Sequence, residues 1–323
     1  MKDWGITESN DLIAEMIVTA LRIGNDHMPV ADLKLMNRSL KELRLASKAF
    51  APYQTKPKIA IFGSARTNER EEEFRIAEEF ASKMRDHGYM IITGAGGGIM
   101  GAAQRGAGRE QSFGLGIRLP FEQRPNDVID GDPKLVNFNY FFTRKLNFIK
   151  ESEAVALFPG GFGTMDEGFE CLTLMQTGKA RIIPVILIDK KGGNYWDALT
   201  DFLTEHVLAQ GLISQEDFNL FCKTDDLQTG VDEVLQFYRN FHSYRWVGTQ
   251  LVFRLQRPIS GLRIDELNKQ FRDLFASAPL KATDPLPQEL NEPETLLLPR
   301  LICGPHRRHF GRMRQLINAF NAE

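Results

Sequence analysis

The chain is poor in the residues that build covalent or metal-held frameworks. Its three cysteines, Cys171, Cys222 and Cys303, lie far apart in 323 residues and never form a CxxC pair. That pattern argues against a disulfide framework or a structural zinc site and fits a reducing cytosol. The six histidines, His27, His87, His206, His242, His306 and His309, are scattered without metal-ligand spacing, so no metal is expected. No apolar run approaches the roughly 20 residues of a membrane span. The opening stretch carries Asp3, Glu8, Asp11 and Glu15 where a signal peptide needs a basic and then an apolar region. Net charge is also lacking: the formal value is −2, with 25% charged residues well mixed. Bulk attraction to a nucleic acid polymer or a membrane therefore has no support. A GxxxxGK(S/T) P-loop and a GxSxG nucleophile elbow are both missing. A soluble cytoplasmic protein is the expectation.

What is present is enough apolar material, 42% of residues, to bury a large core. Residues 1–55 show helical periodicity, with Ile13, Met16, Ile17, Ala20 and Leu21 on one face and Leu33, Met36, Leu40 and Leu43 on another. His27, Met28 and Pro29 break the two segments apart, and Ala51 to Pro57 reads as a linker. From Pro57 the texture changes to strands separated by helices: Lys58 to Ala65, Tyr89 to Thr93, Phe113 to Leu119, Leu135 to Asn139, Ala154 to Phe158 and Ile182 to Ile188. That alternation predicts an α/β fold, a doubly wound parallel Rossmann-like sheet over residues 56–242. It carries an N-terminal helical extension (1–55) and a C-terminal α/β appendage (243–323).

In such sheets ligands bind outside the carboxyl ends of the strands. Three glycine loops follow strands and should share that edge: Gly63-Ser64, Gly94 to Gly101 with Gly96, Gly97 and Gly98 at its centre, and Pro159 to Thr164. The third is the most informative. In AVALFPGGFGTMDEGFE, a short apolar strand runs into Gly160, Gly161 and Gly163, and a helix opens near Thr164. Free N–H groups at a helix start and glycines that admit close approach make an anion site. Thr164 is placed to cap the helix or to donate its hydroxyl to a phosphate. Asp166 and Glu167 then have two readings. They either favour the positive end of the helix dipole, or Glu167 faces a sugar and does acid–base work there. Gly96, Gly98 and Gly101 satisfy GxGxxG, but after the second strand of the unit and without a strand-end acid about 20 residues on; Glu122 lies in an irregular segment. An NAD(P) site is therefore disfavoured. Arg144 and Lys145 follow a strand end and would reach the same edge, Arg as a planar fork for phosphate and Lys as a point charge. The alternative is a solvated basic pair.

PGGFGTMDE matches the PGGxGTxxE signature of the Lonely Guy (LOG) family, long labelled lysine decarboxylase-like, at Pro159, Gly160, Gly161, Gly163, Thr164 and Glu167. The family's MxxRK motif resembles Phe141 to Lys145, with Phe141 in place of Met. The likeness covers roughly residues 56–242. It implies hydrolysis of a nucleoside 5′-monophosphate to free base and ribose 5-phosphate, with no cofactor, in a homodimer or higher homo-oligomer. It also implies catalytic roles for Arg144 and Glu167. Gly63, Ser64, Gly96, Gly97, Gly98, Lys145, Gly160, Gly161, Gly163 and Thr164 would then bind substrate or its phosphate. The decarboxylase label has no support in the sequence, where no lysine is marked out for pyridoxal phosphate. Two other readings remain: a non-catalytic binder or molybdenum-cofactor carrier of this architecture, and a nucleotide-sensing regulator.

Beyond residue 243 the resemblance ends. Trp246 to Leu255 reads as a strand, Ile264 to Phe275 as a helix, Ala276 to Glu294 as a loop, Leu296 to Gly304 as an edge strand because of Pro299, and Phe310 to Phe320 as a helix. Arg300, His306, Arg307, Arg308, Arg312 and Arg314 form a basic cluster in sequence, either an anionic effector site or a solvated surface.

Overall fold

The computed structural model describes residues 10–120 and 124–322, so Asp3, Glu8 and Glu122 lie outside the described residues. The chain divides into two compact units, Met1–Lys48 and Ala49–Glu323. The first contains α1 (Asn10–Asn25) and most of α2 (Val30–Phe50), separated at His27–Pro29 as expected. Its periodic apolar residues are widely exposed: Met16, Ile17, Leu21 and Leu40 range from 50% to 69%.

The second unit opens with β1 (Lys58–Phe62), α3 (Glu72–Asp86), β2 (Met90–Thr93), α4 (Ile99–Ala107), β3 (Ser112–Ile117) and β4 (Leu135–Phe138). It continues with α5 (Phe141–Glu151), β5 (Ala154–Leu157), α6 (Phe162–Gln176), β6 (Val185–Ile188), α7 (Tyr195–Phe202), β7 (Cys222–Thr224) and α8 (Leu227–Phe237). The seven strands form one parallel sheet in the order β4-β3-β2-β1-β5-β6-β7. Every residue of β1, β2, β5 and β6 is buried. Helices on both faces leave no wet side, which is why these strands read as unbroken apolar runs. The α3 stripe of Phe74, Ala77, Phe80, Ala81 and Met84 is buried on this sheet. Truncating a fully buried Phe80 to Ala would cost about 3–5 kcal/mol. The chain steps outward from β1 to β4, then crosses back to β5 on the other side of β1. The strand order reverses between β1 and β5, and there the strand ends open into a crevice.

The remaining chain forms β8 (Phe241–Val247), β9 (Gln250–Leu255), α9 (Gly261–Gln270), β10 (Phe275–Thr283), β11 (Arg300–Pro305) and α10 (Phe310–Phe320). Its strands make an antiparallel sheet in the order β10-β11-β9-β8. Phe253, Leu267, Phe271, Leu316 and Phe320 fill its core, which also takes in Ile182, just before β6, and Phe237 of α8.

This appendage differs from the sequence expectation in four respects. Trp246 to Leu255 is no single strand but parts of a hairpin, turned at Gly248, whose φ of +60° suits glycine. The helix over Ile264 to Phe275 ends at Gln270, and Phe275 opens β10. The expected loop from Ala276 conceals most of β10, an edge strand so exposed that its sequence lacks an apolar signature. Finally, β11 is interior. Pro299 precedes it and removes no ladder bond, while its carbonyl accepts from the Leu255 N–H at 2.9 Å.

The basic cluster is likewise dispersed. Arg300 is buried beside Glu289, Arg312 pairs with Asp273, Arg314 with Glu233, and Arg307 stacks 4.7 Å from the Trp246 ring centre.

Candidate active site

A cavity of about 1160 Å³ lies at the carboxyl edge of the parallel sheet, over the reversal between β1 and β5. All three glycine loops reach it, through Gly63 and Ser64, Gly94 to Gly96, and Gly160 to Thr164. Gly97 and Gly98 do not line it. Gly98 instead starts α4 at φ +61°, and a Cβ there would collide with the Ser64 carbonyl. That carbonyl accepts from the Ile99 N–H at 3.0 Å, so the close approach ties the β1 loop to α4.

The helix after β5 begins earlier than its sequence suggests. Gly161 is the N-cap, and Thr164 stands at the third helical position rather than at the cap. Extended backbone at Gly161 (φ −87°, ψ −158°) lets Phe162 and Gly163 join the helix. No side chain caps α6. The Thr164 N–H bonds the Gly161 carbonyl at 3.0 Å, but among the described residues the N–H groups of Phe162 and Gly163, which line the cavity, have no protein partner, as an anion site requires. The loop is held to its neighbours by Ser64 N–H to Pro159 O at 3.1 Å and by the Tyr195 hydroxyl, which donates to the Gly160 carbonyl.

Arg144 enters from the first turn of α5. Its Nε donates to the Leu115 carbonyl at 2.8 Å, and its guanidinium lies 5.3 Å from the Phe148 ring centre. One guanidinium nitrogen occupies the space a Cβ on Gly94 would fill, so any side chain there would displace this arginine and Met100. Burial pulls the Arg144 pKa down, while the charge of Glu167 works against that.

Glu167 is buried in the cavity wall on the second turn of α6. Helix-dipole stabilisation fades beyond the first turn, and that turn of α6 holds no acid. The dipole therefore does not account for Glu167. Burial pushes its carboxyl up to about 7; Lys145 and Arg144 pull the other way, and Glu170 and Asp166 add to the rise. Lys145 itself stays outside the cavity lining. Its ammonium bonds Glu170, lies 2.9 Å from Asp166, and approaches Glu167 to 3.6 Å. Burial would lower the Lys145 pKa, but these carboxylates outweigh it and hold it above the ordinary value.

Several contributors were not legible as site residues. Ala95 adopts a left-handed φ of +66°, held by Asn126, whose side-chain amide donates to the Ala95 and Gly96 carbonyls at 3.1 and 2.9 Å. Arg66, Arg118 and Tyr195 line the cavity as well. The only hint of them in the sequence is their position just after strands or in the irregular segment following β3.

Residues 100–234 match the family described as possible lysine decarboxylase. That stretch holds both PGGFGTMDE and Phe141 to Lys145, so the family resemblance read from those motifs is shown there. Among the described residues no lysine lines the cavity. No curated protein matches the chain. Solved structures that align with it include the molybdenum cofactor binding protein of Rippkaea orientalis, at 19% identity and TM-score 0.38, covering 55% of this chain and 94% of that one. The molybdenum cofactor carrier protein of Chlamydomonas reinhardtii aligns at 23% and 0.38, over 56% and 97%. DNA processing protein A of Helicobacter pylori aligns at 15% and 0.37, over 57% and 82%.

Proposed function

We propose that the cavity binds a nucleoside 5′-monophosphate and hydrolyses its N-glycosidic bond to free base and ribose 5-phosphate. One observation carries the reading: a buried carboxyl, Glu167, stands one turn beyond the open N–H groups of α6 and titrates near neutrality. A carboxylate beside a phosphate site is unfavourable unless positive charge develops there during the reaction. Cleavage of a glycosidic bond develops such charge on the sugar.

The 5′-phosphate would sit on the Gly160 to Thr164 loop and the start of α6. Gly63, Ser64 and Gly96 would border the nucleoside. Ionised Glu167 would stabilise the oxocarbenium-like sugar and orient its hydroxyls, or draw a proton from the attacking water. A pKa of about 7 suits proton transfer at neutral pH. Arg144, fixed by Leu115 and aimed by the gap at Gly94, would contact the nucleotide and balance charge on the departing base. Lys145 would act through Glu167 rather than on the phosphate, since it is committed to the acids of α6. Phe141 lines the cavity where the family has methionine, and it would shape base preference. The family resemblance further suggests a homodimer, which light scattering on a sizing column would test.

The direct test incubates the protein with AMP, GMP, CMP and UMP and follows free base and ribose 5-phosphate by chromatography, with Glu167→Gln alongside. Release that collapses in the variant is expected. Nucleotide binding without release from the unaltered chain would instead mark a binding or sensing protein.

A further inference from the structure

Basic side chains around this sheet edge fall into two groups. Several outside the cavity pair with carboxylates: Lys145 with Asp166 and Glu170, Lys190 with Glu73, and Arg105 with Glu69. Arg66, Arg118 and Arg124 line the cavity, yet among the described residues none of their guanidinium groups pairs with a carboxylate. Two of these residues have anchored backbones. The Arg66 N–H donates to Ser64 Oγ at 3.1 Å, and the Arg118 N–H to the Phe138 carbonyl at 2.9 Å. Asp166 and Glu167, the acids of the lining, belong to α6, where Lys145 holds them. The lining that follows β3, with its exposed Arg118 and Arg124, is thus left cationic, which concentrates anions in a cleft.

The sheet order supplies a length. Arg118 follows β3 and the phosphate loop follows β5, with β2 and β1 between them. Three strand spacings amount to about 14 Å, too far for the anion at α6 to satisfy Arg118 as well. The volume agrees: about 1160 Å³ lies above the roughly 300–1,000 Å³ found for most small-molecule sites.

We infer that the cavity takes a nucleotide bearing a second anionic group, phosphate or carboxylate, remote from its 5′-phosphate and held by Arg118 and Arg124, which both follow β3. This rests on the nucleotide reading above and narrows its substrate class. A guanidinium fork fits either group in bidentate fashion.

Calorimetric binding to the Glu167→Gln protein, which removes turnover, tests it. AMP would be compared with adenosine 3′,5′-bisphosphate and with N6-succinyl-AMP, so that the phosphate and carboxylate sources are separated. At least one doubly anionic ligand should bind tenfold or more tighter than AMP, and that ratio should fall to about one in the added Arg118→Gln variant. A thermal melt of each variant checks folding, and Arg124→Gln supplies a second variant with the same expected loss of ratio. Equal affinity for AMP and both doubly anionic ligands, or a ratio that survives both substitutions, would overturn the inference while AMP hydrolysis still upheld the function. Failure of all three ligands to bind would overturn both together.

Discussion

One carboxylate oxygen of Glu167 lies 3.6 Å from the Lys145 ammonium, and that ammonium is claimed more closely by Asp166 and Glu170. A single cation is shared among three acids on one side of α6. Glu167, the most buried of the three, gains least from it and is left with a carboxyl that titrates at about 7.

A pH profile follows from this. If ionised Glu167 supports the reaction, kcat/KM should rise with pH through about 7 and level off above it. Lys145→Gln removes a charge that pulls the Glu167 pKa down, so the inflection should move to higher pH. Initial rates between pH 5 and 9 check both. An inflection near 4.5 in the unaltered chain would contradict the environment described for Glu167.

Stability should show the same group with the opposite sign. The folded pKa is raised to about 7 from an ordinary 4.5, so the fold favours the protonated form. Stability is full below the unfolded value and falls as pH climbs through the folded one. Glu167→Gln mimics the protonated form and should stabilise the protein at pH 8 by up to about 3 kcal/mol. At pH 4 the effect should vanish. Urea midpoints at the two pH values would show it.

The parallel sheet was legible because buried strands such as Ile59–Phe62 and Ala154–Leu157 are continuous apolar runs, each followed by glycine. The convergence of the glycine loops followed from topology alone. The pairing of Lys145 with the acids of α6 was not legible, because sequence gives its neighbour in the motif, Arg144, but not the acids across from it. Asn126 was invisible, since its partners are backbone carbonyls on a distant loop. In the appendage, β10 was lost because an exposed edge strand carries no apolar pattern, and Pro299 misled because it was read as marking an edge strand but sits one residue before an interior one.

Asn126→Ala should loosen the loop after β2. It removes the side-chain amide that donates to the Ala95 and Gly96 carbonyls and to Gln104 Oε1, leaving only the Asn126 backbone N–H, 2.9 Å from the Ala95 carbonyl, while Ala95 is left-handed. A cost of about 1–3 kcal/mol in stability is expected, with weaker nucleotide binding, and calorimetry with thermal melts would measure both.

In the appendage, Glu289 is fully buried between Arg254, at 2.6 Å, and Arg300, at 3.4 Å. Glu289→Ala would leave buried Arg300 without a carboxylate partner among the described residues, while Arg254 keeps Glu292 at 2.7 Å. Destabilisation of about 3–5 kcal/mol is expected by denaturant titration. Because this network lies in the antiparallel sheet, activity per folded molecule should be retained.

The most direct test of the central claim is base release from nucleoside 5′-monophosphates by the unaltered chain and by Glu167→Gln. The account predicts free base and ribose 5-phosphate from the first, and a loss on the order of a hundred- to ten-thousand-fold in the second, with AMP still bound. Full release by Glu167→Gln would contradict the role given to this carboxyl, and no release from the unaltered chain would contradict the reaction itself.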